Sequence, residues 1–165
     1  CQIGDKAAMD RIRQIRRLGP DRNFTLIGRS LSELSAYTKL DNQAHRLIKA
    51  LTPGAYTFIF QASPEVPKIM LRKRRTIGVR MPDTPITLAL LAELDEPLLT
   101  TSVRTPDDQW VIDALEIEST LDDRVDVVVD GVPLVASPST VVGLSGELSV
   151  LLREGKGSVE ELELF

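Results

Sequence analysis

The chain has 165 residues, 42% hydrophobic and 27% charged, with a net charge of −4, the composition of a globular domain rather than a disordered or fibrous chain. No apolar run approaches the roughly 20 residues of a membrane helix. One histidine and one cysteine exclude zinc sites built from those ligands and any disulfide within the chain.

The first element is a helix. Asp5 is positioned as its N-cap, Ala8, Met9, Ile12 and Ile15 form an apolar stripe, and Gly19-Pro20 ends it. Phe24 to Ile27 reads as a short buried strand. Ser30-Leu-Ser-Glu33 has the spacing of a capping box, and Asp41 opens a second long helix that Pro53-Gly54 stops. Tyr56 to Phe60 and Thr76 to Val79 are rich in aromatic and β-branched residues and read as strands. Thr84-Pro85 starts a helix running to about Leu94. Pro97 to Val103 is expected to be a strand and 111–121 a helix. Val125 to Val129 reads as a strong strand with Asp130-Gly131 as its turn. Ser139 to Leu144 and Leu148 to Leu152 read as a hairpin, and Ser158 caps a short last helix. Strands and helices alternate with short connections and without repeats, which predicts one α/β domain with a mixed sheet.

Charge is distributed unevenly. Residues 1–80 hold 16 Lys/Arg against 6 Asp/Glu, a balance of +10; residues 81–165 hold 4 against 18, a balance of −14. Either a basic face meets an anionic partner, or the halves interleave and neutralise each other. The densest basic stretch is Arg72-Lys73-Arg74-Arg75, just before the Thr76 strand, with Arg80 at that strand's end. A strand-end arginine facing inward suits a carboxylate or phosphate; its rival role is a structural salt bridge. The four residues before the strand suit phosphate-backbone contacts to RNA, with a solvated loop as the alternative. Aromatic content of 4% speaks against base stacking on single strands; duplex RNA read by shape is the compatible target.

Other sites are excluded or bland. His45 lies within a helix beside Arg46 with no nucleophile partner recognisable, so it reads as a surface residue. Arg153-Glu-Gly-Lys-Gly-Ser158 lacks the spacing and the ending of a phosphate loop. The acidic residues between Asp113 and Asp126 read as a solvated face, so no protein metal site is expected. Tyr37 and Trp110 read as caps on the core.

Nine segments, in order, resemble the YrdC-like family and within it the YciO branch. They are Cys1-Gln-Ile-Gly-Asp-Lys with Arg-Ile-Arg-Gln-Ile-Arg (11–16), Asn23-Phe-Thr-Leu, Ser32-Glu-Leu, Pro53-Gly-Ala-Tyr-Thr-Phe, Lys73-Arg-Arg-Thr-Ile-Gly-Val-Arg-Met-Pro, Pro97-Leu-Leu-Thr-Thr-Ser, Val125-Asp-Val-Val-Val-Asp-Gly, Pro138-Ser-Thr-Val-Val and Leu152-Arg-Glu-Gly. The resemblance implies a single YrdC-like α/β domain over residues 1–165, with a twisted, open, mixed β-sheet and flanking helices. Family members normally begin with a further strand–helix–strand segment that helps build the pocket; that segment is expected to be missing here.

The resemblance also implies a function. The family condenses ATP, bicarbonate and L-threonine into threonylcarbamoyl-adenylate, releasing pyrophosphate, and the product feeds threonylcarbamoylation of tRNA. A concave basic surface is associated with double-stranded RNA, so the alternative is a non-catalytic RNA-binding protein. ATP is the implied substrate, and Mg²⁺ is expected to come with it through phosphate oxygens rather than a dedicated protein site. Arg16 stands where the synthases carry the lysine of their Lys-x-Arg motif, Arg153 matches a phosphate-binding arginine, and Arg80 matches the position expected to hold the threonine carboxylate. Ser102, Ser139 and the adjacent Thr140 match substrate-contacting positions. Arg72, Lys73, Arg74 and Arg75 are the RNA candidates. Two positions depart from the synthases: Leu18 stands where they carry an arginine, and Arg104 where they carry an asparagine. Gly28 lies near a position where some carry a histidine. A cytoplasmic protein with a nucleotide or acyl-adenylate pocket is expected, its catalysis reduced or redirected.

Overall fold

Short polar caps set where the helices begin. In the computed structural model the Asp5 carboxylate accepts from the Ala8 amide at 2.9 Å and starts α1 (Lys6–Arg16). Ser30 accepts from the Glu33 amide and starts α2 (Leu31–Ser35). The Glu33 carboxylate reaches the Arg29 amide (2.8 Å) instead of completing the predicted capping box, because the Arg29 guanidinium holds it there. Asp41 accepts from the Ala44 amide at 2.8 Å and starts α3 (Asn42–Leu51). Proline at the first helical position opens α4 (Pro85–Leu94), where the Thr84 hydroxyl bonds that of Thr87 rather than a backbone amide. The fifth helix is α5 (Ala114–Leu121). The structure describes the chain apart from residues 20–23, 72–74, 106–108, 122–123, 132–136, 147, 161 and 163–165.

Six strands, β1 (Thr25–Ile27), β2 (Tyr56–Gln61), β3 (Thr76–Arg80), β4 (Leu98–Thr100), β5 (Thr140–Gly143) and β6 (Val150–Arg153), form one sheet in the order β4-β1-β3-β2-β5-β6. The β1–β3 and β2–β5 pairs are parallel and the others antiparallel. The fold is thus a single α/β domain with an open mixed sheet and flanking helices, and β5 and β6 form the expected hairpin.

Because side chains alternate along a strand, the sheet has two unlike faces. One carries Leu26, Phe58, Phe60, Ile77, Val79 and Val142, buried against Leu34 of α2 and Leu47, Ile48 and Leu51 of α3. Met9 of α1 extends it through Phe24 and Leu99. Each such large side chain contributes about 1.5–3 kcal/mol by leaving water. The other face carries Thr25, Ile27, Thr57, Ile59, Gly78, Arg80 and Val141.

Val125 to Val129 is not a strand. Val127 and Val129 stand 76% and 61% exposed, and among the described residues the segment pairs with neither edge of the sheet. Its β-branched run states a local preference, and a strand also needs an edge to pair with. The segment is instead tied to α1 by an ion pair, Arg11 Nη1 to Asp126 at 2.9 Å. The predicted strand over Pro97–Val103 shortens to β4, since only Leu98 to Thr100 lie beside β1. Among the described residues no helix is long and apolar enough to cross a membrane.

Candidate anion-binding cleft

The uncovered sheet face is the floor of a cleft of about 800 Å³. Strand register explains its shape. One row across the sheet runs Thr100, Thr25, Gly78, Ile59 and Gly143. Gly78 keeps the middle of that row low: a Cβ there would lie 3.1 Å from Ile59 Cδ1. Beside it, Ile27 pairs with Arg80, and Thr57 pairs with Val141, which pairs with Arg153. Both arginines therefore rise from the same face of the floor.

The rim comes from irregular backbone. Arg17 adopts a left-handed conformation (φ 49°) as the C-cap of α1, and the Leu18 amide turns back to the Arg13 carbonyl at 2.9 Å. That turn carries Arg16 to Gly19 along the cleft. Opposite, the chain leaving β4 contributes Thr101, Ser102, Arg104 and Thr105. Arg104 forms an isolated bridge with Trp110, and its guanidinium stacks over the indole ring, 4.0 Å from the centroid. Arg16 Nη1 donates to the Arg104 carbonyl at 3.1 Å, tying the two rims together.

Five arginines line the cleft, Arg16, Arg17, Arg80, Arg104 and Arg153, with seven Ser/Thr hydroxyls and no Asp or Glu among the described lining residues. Arg104 and Arg153 are half of the four basic residues in the acidic second half of the chain, so the cleft concentrates positive charge. The described ion pairs lie elsewhere: Lys6–Asp10, Arg13–Asp10, Arg29–Glu33, Arg11–Asp126 and Arg29–Asp95. The last two join the halves, so the sequence's acidic excess neutralises part of its basic excess outside the cleft. Arg80 Nε is buried without a hydrogen-bond partner. Partial desolvation, followed by the neighbouring Arg104 charge, lowers the pKa of Arg153. An arginine remains protonated even so, and the direction reports chiefly the partial burial of its guanidinium.

The β5 end is fastened by buried hydrogen bonds. Arg153 Nε and Nη2 both donate to the Ser139 carbonyl, at 3.2 and 2.8 Å, and the Ser139 hydroxyl lies 2.7 Å from that of Thr57. Thr140 is fully buried and absent from the lining: its hydroxyl donates to the Gly157 carbonyl (2.6 Å) and accepts from the Gly155 amide (3.0 Å). Thr140→Val, nearly isosteric, is expected to destabilise the fold by about 2 kcal/mol, because both backbone groups lose a buried partner; chemical denaturation checks this.

Arg16, Arg80, Ser102, Ser139 and Arg153, separated by up to 137 positions in the chain, thus meet in one cleft. Thr140 does not, and is a fastener beneath it. Of the basic stretch, Arg72, Lys73 and Arg74 lie outside the described residues, and Arg75 is exposed with φ 51°. His45 is exposed on α3. A Cβ at Gly28 would lie 2.9 Å from the Leu34 side chain, so a larger residue there would require Leu34 to shift. Sequence reasoning did not single out Arg17 or the threonines at 25, 57, 100, 101 and 105 for the site, and read Trp110 only as a cap on the core. A signal for one of them was present: Thr57 interrupts the otherwise aromatic and aliphatic run Tyr56 to Phe60. Trp110 reaches the rim by its bridge to Arg104 rather than capping the core.

An open α/β sheet whose bare face carries clustered arginines and hydroxyls is a candidate anion-binding site. Comparison with known proteins is more specific. A family model described as telomere recombination, for Sua5, YciO and YrdC proteins, matches residues 1–155, and the chain belongs to that family. It is 47% identical to YciO of Escherichia coli K12 over 162 residues, 97% of this chain and 79% of the relative. The crystal structure of E. coli YciO superposes with a TM-score of 0.92, covering 98% of this chain and 79% of that one. P. abyssi Sua5 complexed with L-threonine superposes with a TM-score of 0.88 at 26% identity, covering 97% of this chain and 48% of that one. The threonylcarbamoyl-AMP synthase of Bacillus subtilis is 32% identical over 124 residues, 73% of this chain and 36% of the synthase.

Proposed function

We propose that the cleft binds ATP, or an acyl-adenylate, together with L-threonine, and serves threonylcarbamoyl-adenylate chemistry for tRNA modification in the cytoplasm. The observation that carries the reading is the charge of the cleft: five arginines and no carboxylate among the described lining residues. About 800 Å³ falls within the size of sites for small ligands, roughly 300–1,000 Å³. Kinship to threonylcarbamoyl-AMP synthases and to a Sua5 structure holding L-threonine supports the choice of anions.

Roles follow from position. Arg80, half-buried at the floor, presents a fork suited to the threonine carboxylate. Arg16 and Arg153, on the rim and at the β6 end, suit the phosphates. Ser102 and the Ser139–Thr57 hydroxyl pair suit polar groups between them. In the overall reaction the threonine amine captures bicarbonate carbon with loss of water. A carbamate oxygen then attacks the α-phosphorus, and the bond to pyrophosphate breaks. Negative charge grows on the departing pyrophosphate, which fixed cations stabilise without reorganisation. No carboxylate among the described residues lines the cleft, so Mg²⁺ would be held by phosphate oxygens and would help neutralise them.

Leu18 puts no charge into this set. It packs beside Met9, Phe24 and Leu99, while Arg17 and Arg104 line the cleft in its vicinity. The test is pyrophosphate release by the full-length protein with ATP, bicarbonate, Mg²⁺ and L-threonine. Threonine-dependent release is the expected result. ATP binding without release would leave the nucleotide pocket and remove the synthase step; neither binding nor release would overturn the reading.

A further inference from the structure

Counting protons at the hairpin end of the cleft leaves one without an acceptor. Thr57 and Ser139 line the cleft, yet they are only 7% and 9% exposed, and their hydroxyl oxygens lie 2.7 Å apart. Each hydroxyl carries one proton and two lone pairs. One proton of the pair lies between the two oxygens. The other meets no acceptor among the described residues, since the pair's remaining contact is Arg153 Nη2 donating to Ser139 Oγ at 3.4 Å. A buried polar group left unpaired costs about 1–3 kcal/mol. An acceptor entering through the cleft removes that cost.

Register and charge decide which proton is left over. Thr57 pairs with Val141, which pairs with Arg153, and Ser139 lies two positions before Val141, so the three polar side chains share one face. The Arg153 guanidinium holds the Ser139 carbonyl with two N–H groups, at 3.2 and 2.8 Å, and turns Nη2 toward the hydroxyl. A cation there favours Ser139 Oγ with its lone pairs inward and its proton outward. In that arrangement Thr57 donates, Ser139 accepts from both neighbours, and the Ser139 O–H points into the cleft beside the guanidinium.

We infer that Thr57 is a positioning residue: by donating to Ser139 it aims the Ser139 O–H, together with Arg153, at an oxygen of a phosphate held in the cleft. The inference rests on the nucleotide reading of the cleft and adds what orients its hydroxyl donor. Thr57 acts through Ser139 and has no ligand contact of its own.

A double-mutant cycle tests a residue that works through another. Full-length wild-type protein, Thr57→Val, Thr57→Ser, Ser139→Ala and the Thr57→Val/Ser139→Ala double variant are titrated with ATP and with inorganic pyrophosphate by calorimetry, beside thermal melts. Thr57→Val keeps the shape and removes the hydroxyl, and is expected to weaken both ligands by about tenfold. Thr57→Ser, which keeps the donor, is expected to stay within about threefold of wild type. Ser139→Ala is expected to weaken both ligands at least as much as Thr57→Val. With Ser139 already removed, adding Thr57→Val is expected to change affinity by less than about twofold, because the two residues act as one unit. If Thr57→Val does not fold, Thr57→Cys, a weak donor of similar size, takes its place in the cycle.

A merely structural Thr57 would lower the melting temperature, and its effect on affinity would multiply with that of Ser139→Ala. That result, or a Thr57→Val variant that binds like wild type, overturns the inference and leaves the nucleotide reading intact. If the wild-type protein binds neither ATP nor pyrophosphate, both fall.

Discussion

Arg80→Leu is expected to abolish most ligand binding while leaving the protein as stable as before, or more so. Arg80 is the last residue of β3, paired with Ile27 on the bare face of the sheet. Its Nε is buried with no hydrogen-bond partner, a desolvation that costs about 1–3 kcal/mol when nothing compensates it. A leucine removes that cost and keeps the apolar stem, so the melting temperature should hold or rise. A carboxylate or phosphate that used the guanidinium loses a charge-assisted, two-pronged contact. Affinity should fall by roughly thirtyfold or more, about 2 kcal/mol. Arg80→Lys, which keeps charge but not the fork, should recover part of the binding. Calorimetry with L-threonine and with ATP, beside thermal melts, separates the outcomes. A large fall in melting temperature with affinity preserved would make Arg80 a structural residue.

This opposition between stability and function also explains which features were legible in the sequence. The helix caps were legible because capping is local: Asp5 and Asp41 meet amides three residues on. The strands of the core were legible because Tyr56-Thr-Phe-Ile-Phe alternates against one buried face. Arg80 and Arg153 could be picked out from the family pattern, and the sheet brings them onto one face by pairing that no local pattern contains. Val125 to Val129 failed for the same reason in reverse, since its residues prefer a strand and no described edge receives them. The Arg104–Trp110 stack was illegible because it depends on the bridge between those two residues and on the Thr105–Gln109 hydrogen bonds, and the sequence shows only an arginine and a tryptophan. Thr140 read as a neighbour of Ser139 in the site; strand alternation turns its side chain the other way, into the 155–157 loop.

That loop is where fold and cleft are coupled most tightly, and Gly155→Ala is expected to damage both. The backbone of 138–140 lies directly on it: the Lys156 amide donates to the Pro138 carbonyl at 2.8 Å, and the Gly155 amide donates to Thr140 Oγ1 at 3.0 Å. A Cβ at Gly155 would overlap the Pro138 carbonyl oxygen and stand 2.5 Å from the Ser139 carbonyl carbon and 2.6 Å from its oxygen. These are backbone atoms, which cannot swing aside as a side chain can. The methyl must push Ser139 away, and Ser139 is the residue whose carbonyl receives both Arg153 N–H groups and whose hydroxyl meets Thr57. Overpacking of this kind costs about 2–3 kcal/mol, a fall of roughly 5–10 °C in melting temperature for a domain of this size. Nucleotide affinity should fall with it, because Arg153 loses its anchor. Gly146→Ala provides the contrast: nothing lies within 4 Å of a Cβ there, and stability should stay within about 0.5 kcal/mol of wild type. Should Gly155→Ala melt and bind like Gly146→Ala, the hairpin end of the cleft is pliable, and the close packing of Ser139 on Gly155 is not what positions Arg153.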